Sequence, residues 1–179
     1  MDYKKALENF NGTDEYQMQM EFLCSKLKPE PNDIIMDYGA GLGNTIKYIQ
    51  DKYKVKQIWG FDVQHFCNDA PEWFRDSVPA GWITKLYFMH SIAHIKDKSF
   101  LGRLDLAPKA KCVVITPNMD FVRMMNPNYV DPTVHKHYTP NELSEEFELW
   151  GWKTTEKGSF GREIKGIKER AYLVAEKIS

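Results

Sequence analysis

An α/β sandwich, with a mostly parallel sheet finished by an antiparallel strand pair, is the fold class this 179-residue sequence predicts. Three observations carry it. Short apolar runs of strand character alternate with segments of helical periodicity over residues 13–118. Three glycines, Gly39, Gly41 and Gly43, fall between the first such strand and the helix after it, in the stretch IIMDYGAGLGNTIKYI. Two strand-like runs then close the chain without a helix between them.

The elements follow in order. Thr13 caps a helix that runs to about Lys28, with Tyr16, Met20, Leu23 and Leu27 on one face, and Pro29 and Pro31 end it. Asp33-Ile34-Ile35-Met36 is a short buried strand. Ile46, Ile49 and Tyr53 mark an amphipathic helix after the glycines. Gln57 to Phe61 makes the second strand, which ends at Asp62. Thr84 to Met89 and Lys111 to Ile115 are further strands, with a helix from about Lys98 to Leu106 between them. Thr139 as N-cap, Pro140 at the first helical position, Glu142 completing a capping box and Gly151 as stop define a late helix. Leu143, Phe147 and Trp150 form its inner face. Lys153 to Phe160 and Arg170 to Ile178 are the closing strands.

The length suits one domain over residues 1–179: an N-terminal helical segment over 1–32, then two halves over 33–117 and 118–179. A formal net charge of -1 provides no overall field to draw nucleic acid or acidic membranes. Cys24, Cys67 and Cys112 lie far apart with no CxxC pair, which reads as reduced thiols. The charged N-terminus MDYKKALENF lacks a signal-peptide core, and no apolar run approaches membrane-span length. A cytoplasmic protein is the expectation.

Glycine weakens strands and helices alike, so three in five positions need a local reason, and close approach of the backbone to a ligand is one. The dinucleotide pattern G-x-G-x-x-G fails, because its third glycine would fall on Asn44 or Ile46. The P-loop fails too, since Gly43-Asn44-Thr45 stands where Gly-Lys-Ser/Thr is required. What remains is Asp37-Tyr38-Gly39-Ala40-Gly41-Leu42-Gly43, with Asp62 at the end of the next strand. This resembles the S-adenosylmethionine site of class I methyltransferases. YFMHSIAHIKD resembles their fourth-strand segment. LGRLDLAPKAKCVVITPN resembles the following helix, bend and fifth strand, with Lys109 and Ala110 where the family has glycines. HKHYTPNELSEEFELWGW resembles a late segment of small-molecule O-methyltransferases. The four segments stand in the family's order over residues 33–153.

The resemblance implies a Rossmann-like three-layer sandwich, with residues 33–117 as the cofactor-binding half and 118–179 as the acceptor side. It implies S-adenosylmethionine as cofactor, held by Asp37, Gly39, Ala40, Gly41, Gly43, Asp62, Val63, Met89 and His90. The Asp62 carboxylate would accept both ribose hydroxyls, and Asp37 would favour the cationic sulfonium. His90 would border the adenine and ribose, or serve only a structural role. His94 would face the methyl-transfer cleft as the base for an acceptor hydroxyl, or else bond a loop carbonyl.

The implied reaction is methyl transfer to an oxygen, in preference to nitrogen, of a small-molecule or sugar-like acceptor, with residues 120–138 as part of its pocket. An RNA or protein methyltransferase, or a non-catalytic S-adenosylmethionine-binding module, are the alternatives. His135, His137 and Asp131 make a poor metal set without a fourth ligand, so no metal is expected. Lys153, Lys157, Arg162, Lys165, Lys168 and Arg170, interleaved with Glu156, Glu163 and Glu169, read as a solvated face. A nucleic acid or membrane partner is therefore not expected. Only 23 residues separate Asp62 from Leu86, which predicts a shortened third-strand region in which Asp76 is the one carboxylate placed near the adenine. Trp73, Phe74 and Trp82 would cover the exposed edge of the second strand, favouring a monomer over a dimer.

Overall fold

The computed structural model describes residues 13–62, 74–75, 82–128 and 131–178. Thr13 accepts the Tyr16 N–H at 3.2 Å and opens α1 (Asp14–Leu27), which Lys28 closes in the left-handed conformation. Next come β1 (Ile34–Tyr38), α2 (Asn44–Tyr53), β2 (Gln57–Phe61), β3 (Phe74–Arg75) and β4 (Ile83–Met89). A 3₁₀ turn at Ile92–His94 leads to a single helical turn, α3 (Phe100–Arg103). The chain finishes with β5 (Leu106–Pro117), α4 (Met119–Met125), α5 (Pro140–Leu149), β6 (Trp152–Ile164) and β7 (Ile167–Lys177).

The strands form one sheet in the order β3-β2-β1-β4-β5-β7-β6. Every pairing is parallel except those of β7, which runs antiparallel to both β5 and β6. Alternate residues of the central strands feed two cores. Ile35, Tyr87, Val113 and Ile115 pack on one side with Leu23 and Leu27 of α1 and Ile46 and Ile49 of α2. Met36, Phe88, Cys112 and Val114 pack on the other with Leu143 and Phe147 of α5. Burial on both faces is why these strands read as near-continuous apolar runs.

Two elements differ from the sequence expectation. The helix expected over Lys98 to Leu106 is one turn, and Leu106 instead opens β5 opposite Ile83. Pairing with Ile83 draws Leu106 into the sheet, and Pro108 pushes the residue before it, Ala107, to extended backbone. The closing hairpin is longer than expected: β6 reaches Ile164 and β7 starts at Ile167. Lys165 and Gly166, both at positive φ (52° and 78°), make the tight turn between them. Among the described residues the third strand is Phe74–Arg75, paired with Gly60 and Phe61 of β2.

Candidate functional site

The carboxyl ends of β1, β2 and β4 meet on one side of the parallel half of the sheet, where open α/β sheets place their ligands. The glycine turn there is tied to β2. Gly39 and Ala40 both donate their N–H to the Phe61 carbonyl, at 2.7 and 3.1 Å, and the Gly41 N–H donates to Asp62 Oδ2 at 2.8 Å. The carboxylate of Asp62 is thus fixed in direction by the backbone it stands beside. Gly39 has φ +99°, and a Cβ on it would lie 2.2 Å from the Ser91 Cβ. Its glycine is demanded by the chain's own turn after β4, whose Ser91 hydroxyl donates to the Tyr38 carbonyl. Gly43 opens α2 from a left-handed conformation, φ 72°.

Asp37 is 2% exposed. Tyr87 donates its hydroxyl to Asp37 Oδ2 at 2.7 Å, while Oδ1 is buried with no hydrogen-bond partner. Burial raises its pKa to about 8; the Tyr87 bond works against this and the charge of Asp62 adds to it. A buried carboxyl with one spare oxygen suits a hydrogen-bonding ligand group.

The N-terminal helix contributes a layer that sequence reasoning missed. Tyr16 bonds the Thr45 hydroxyl at 2.7 Å, and Thr45 faces Met89 Sδ at 3.7 Å. Gln19, fully buried, holds His90 Nε2 at 2.5 Å through Oε1 and donates through Nε2 to Glu15 at 3.1 Å. Arg170 donates to the same Glu15 carboxylate. His90 itself sits at φ 66° and donates its N–H to the Ile115 carbonyl. Burial, then its electrostatic neighbours Arg170 and His94, lower its pKa to about 3. Its imidazole is therefore neutral near pH 7, and the Gln19 carbonyl selects the tautomer protonated at Nε2. The one available signal was a glutamine at position 19 beside an apolar stripe.

His94 ends the 3₁₀ turn, with Nδ1 3.0 Å from the Thr133 carbonyl. That carbonyl can only accept, so Nδ1 carries the hydrogen and Nε2 the lone pair in the neutral ring. The Ala93 carbonyl next door accepts the His135 and Lys136 N–H groups at 2.9 and 3.2 Å, binding the segment 133–136 to this turn. Asp37, Gly39, Ala40, Gly41, Gly43, Asp62, Met89 and His90 thus belong to one connected neighbourhood, and the His94 N–H joins the same turn through the Ser91 carbonyl. Val63, Trp73 and Asp76, and the side chain of Phe74, lie outside the described residues. Among the described residues, no group of three or more His, Cys, Asp or Glu is placed to hold a metal, and no helix is long and apolar enough to cross a membrane.

No protein-family model and no curated protein matches the sequence. Solved structures do match the fold. A chain of the complex between the Haloferax volcanii Trm112 methyltransferase activator and a protein assigned as a methyltransferase superposes with a TM-score of 0.74. It is 13% identical, over 99% of this chain and 93% of that one. An S-adenosylmethionine-dependent methyltransferase from Archaeoglobus fulgidus superposes at 0.70 with 15% identity, over 99% of this chain and all of that one (100%). The small RNA methyltransferase HEN1 gives 0.68 and 13%, over 90% of this chain and 25% of that one. At such identities the likeness is one of fold: a Rossmann-like sheet with an antiparallel C-terminal pair, as in class I S-adenosylmethionine-dependent methyltransferases.

Proposed function

On a class I methyltransferase fold, we propose that this chain binds S-adenosylmethionine at the glycine turn and transfers its methyl group to an oxygen of a small-molecule acceptor. The observation that carries the reading is the pair of carboxyls at the ends of adjacent strands. Asp62 is aimed by the Gly41 N–H, and Asp37 is buried with Oδ1 unpaired. Asp62 can accept two hydroxyl donors at once, as a ribose diol offers, and the unpaired Asp37 Oδ1 can hydrogen-bond the amino-acid end. The residues present therefore fit the cofactor.

The cofactor supplies a methyl group already activated on a sulfonium, so the protein's work is to position, to exclude water and to move one proton. The α1 layer of Tyr16 and Gln19 closes the site from above Thr45 and His90. His94 Nε2 takes the acceptor hydroxyl proton, while the Thr133 carbonyl holds the ring through Nδ1–H. A small RNA methyltransferase shares the fold, so the fold leaves RNA among the acceptor classes, and the net charge of -1 is no argument against it.

Calorimetry with S-adenosylhomocysteine tests the binding site. Wild type should bind, and Asp62→Ala should bind more weakly by about 1–3 kcal/mol through loss of charge-assisted acceptors. Unchanged affinity in a folded variant would sink the ribose assignment. Transfer of labelled methyl into acceptor pools tests turnover. His94→Gln should retain cofactor affinity and lose rate by about 10²–10⁴-fold; an unaffected rate would remove His94 from the chemistry.

A further inference from the structure

Next in sequence to the His94 turn lies an open cleft of about 450 Å³. Residues 96–98, the pair His135 and Lys136, and the end of α5 at Glu146 and Trp150 line it. Its cations outnumber its usable anions. The Asp97 carboxylate is taken up by the Ser99 N–H and hydroxyl at 2.8 and 3.0 Å. Glu146 accepts from Lys136 at 3.3 Å and from the Trp150 indole N–H at 3.4 Å. No carboxylate lies within ion-pair distance of Lys96 or Lys98 among the described residues.

Lys98 is the unusual one. It is only 6% exposed, and its ammonium donates to the Ile95 carbonyl three residues back. It lies 5.6 Å from the centre of the Tyr138 ring, and Lys136 lies 4.8 Å from the same ring. The ring's hydroxyl is fully buried without a hydrogen-bond partner, and Glu146 and Glu142 are the charges that act on it. Lys98 is a buried ammonium with no carboxylate within ion-pair distance among the described residues, an arrangement costly to bury, and it lines the cleft together with Lys96 and Lys136. They are the parts of an anion site. The indole of Trp150 adds a face for a planar group.

We propose that this cleft is the subsite for the phosphate group of a phosphorylated, ring-bearing methyl acceptor, an assignment that rests on the methyltransferase reading above. Ammonium donors from two separate segments suit a group with three terminal oxygens better than a two-oxygen carboxylate. The location fits the reaction. His94 and the cleft are built from the same two stretches, 93–98 and 133–136, joined through the Ala93 and Thr133 carbonyls. An acceptor anchored at Lys98 is thereby held beside the base.

Phenyl phosphate is the probe, with phenol, benzoate and a single-stranded RNA oligonucleotide as comparisons, titrated by calorimetry. Wild type should bind phenyl phosphate at least tenfold more tightly than phenol or benzoate. Lys98→Met should lose about tenfold in that affinity and Lys96→Gln several-fold, with S-adenosylhomocysteine affinity unchanged in both. Lys96 is exposed, so its variant reads the charge without disturbing the core. Phenyl phosphate binding equally to wild type and both variants, or no better than phenol, overturns the subsite. So does RNA that binds through these lysines while phenyl phosphate does not. Failure of wild type to bind S-adenosylhomocysteine overturns the methyltransferase reading instead, leaving the phosphate titration separately readable.

Discussion

Asp37 and His90 flank the same proposed ligand site and carry opposite proton preferences. Buried beside Tyr87, with Asp62 and Tyr16 as its charged or titratable neighbours, Asp37 has its pKa raised from 3.8 to about 8. The folded chain therefore keeps a proton that the unfolded chain releases above about pH 4. That contribution to stability falls as pH rises and is gone above about 8. His90, lowered from 6.5 to about 3 by burial and then by Arg170 and His94, must give up a proton to fold in acid, so its contribution is lost as pH falls from 6.5 to about 3. The two slopes oppose each other between about pH 4 and 6.5, and Asp37 acts alone from 6.5 to about 8. Thermal melts of the free protein should drop across that upper window in wild type and stay level in Asp37→Asn. A wild type that is level there would show that Asp37 is ionised in the fold. The sequence identified both residues from their places in a motif. It could not show that Gln19 and Tyr16 would reach them, because nothing local to α1 states which strand ends that helix crosses.

Elements with complete local punctuation were legible. The capping box expected at α5 is present in both directions: Thr139 Oγ1 accepts the Glu142 N–H at 3.2 Å, and the Glu142 carboxylate accepts the Thr139 N–H at 2.8 Å. The helix it starts buries Leu143 and Phe147 in a core shared with Phe88 of β4 and Trp152 of β6, so fraying there loosens the core on that face. Thr139→Ala should cost about 1–2 kcal/mol, read as a lower urea midpoint at unchanged slope. An unchanged midpoint would mean that packing alone fixes the helix start. The glycine turn was legible for a related reason, since few other settings need three glycines between strand and helix. Elements decided by distant partners were not. Leu106 has helical neighbours in sequence, yet pairing with Ile83 and the constraint of Pro108 on Ala107 make it strand. The hairpin tip at Lys165-Gly166 offered only one glycine amid charges, which also reads as loop.

At the scale of the whole molecule, an open seven-stranded sheet has two edges, and each is managed differently. On one side, among the described residues, β3 extends along Gly60 and Phe61, at the end of β2 nearest the glycine turn. On the other, β6 presents a 13-residue edge, long enough to template a second chain. Its protection is chemical and geometric. Lys153, Glu156, Lys157, Arg162 and Glu163 are exposed along it, and its register with β7 slips between Thr154 and Glu156 and again between Phe160 and Glu163. Charge makes strand addition costly to desolvate, and bulges twist the edge out of line with a flat partner. The expected result is a monomer of 20.9 kDa by light scattering. Replacing two of the edge charges with β-branched apolar residues, Lys153→Val with Lys157→Val, leaves both bulges and the core in place and removes only the charge barrier. That variant should associate increasingly with concentration while keeping its far-ultraviolet circular dichroism. A wild-type dimer would show that this edge is already an interface. A variant that stays monomeric would assign the protection to the bulges rather than to the lysines.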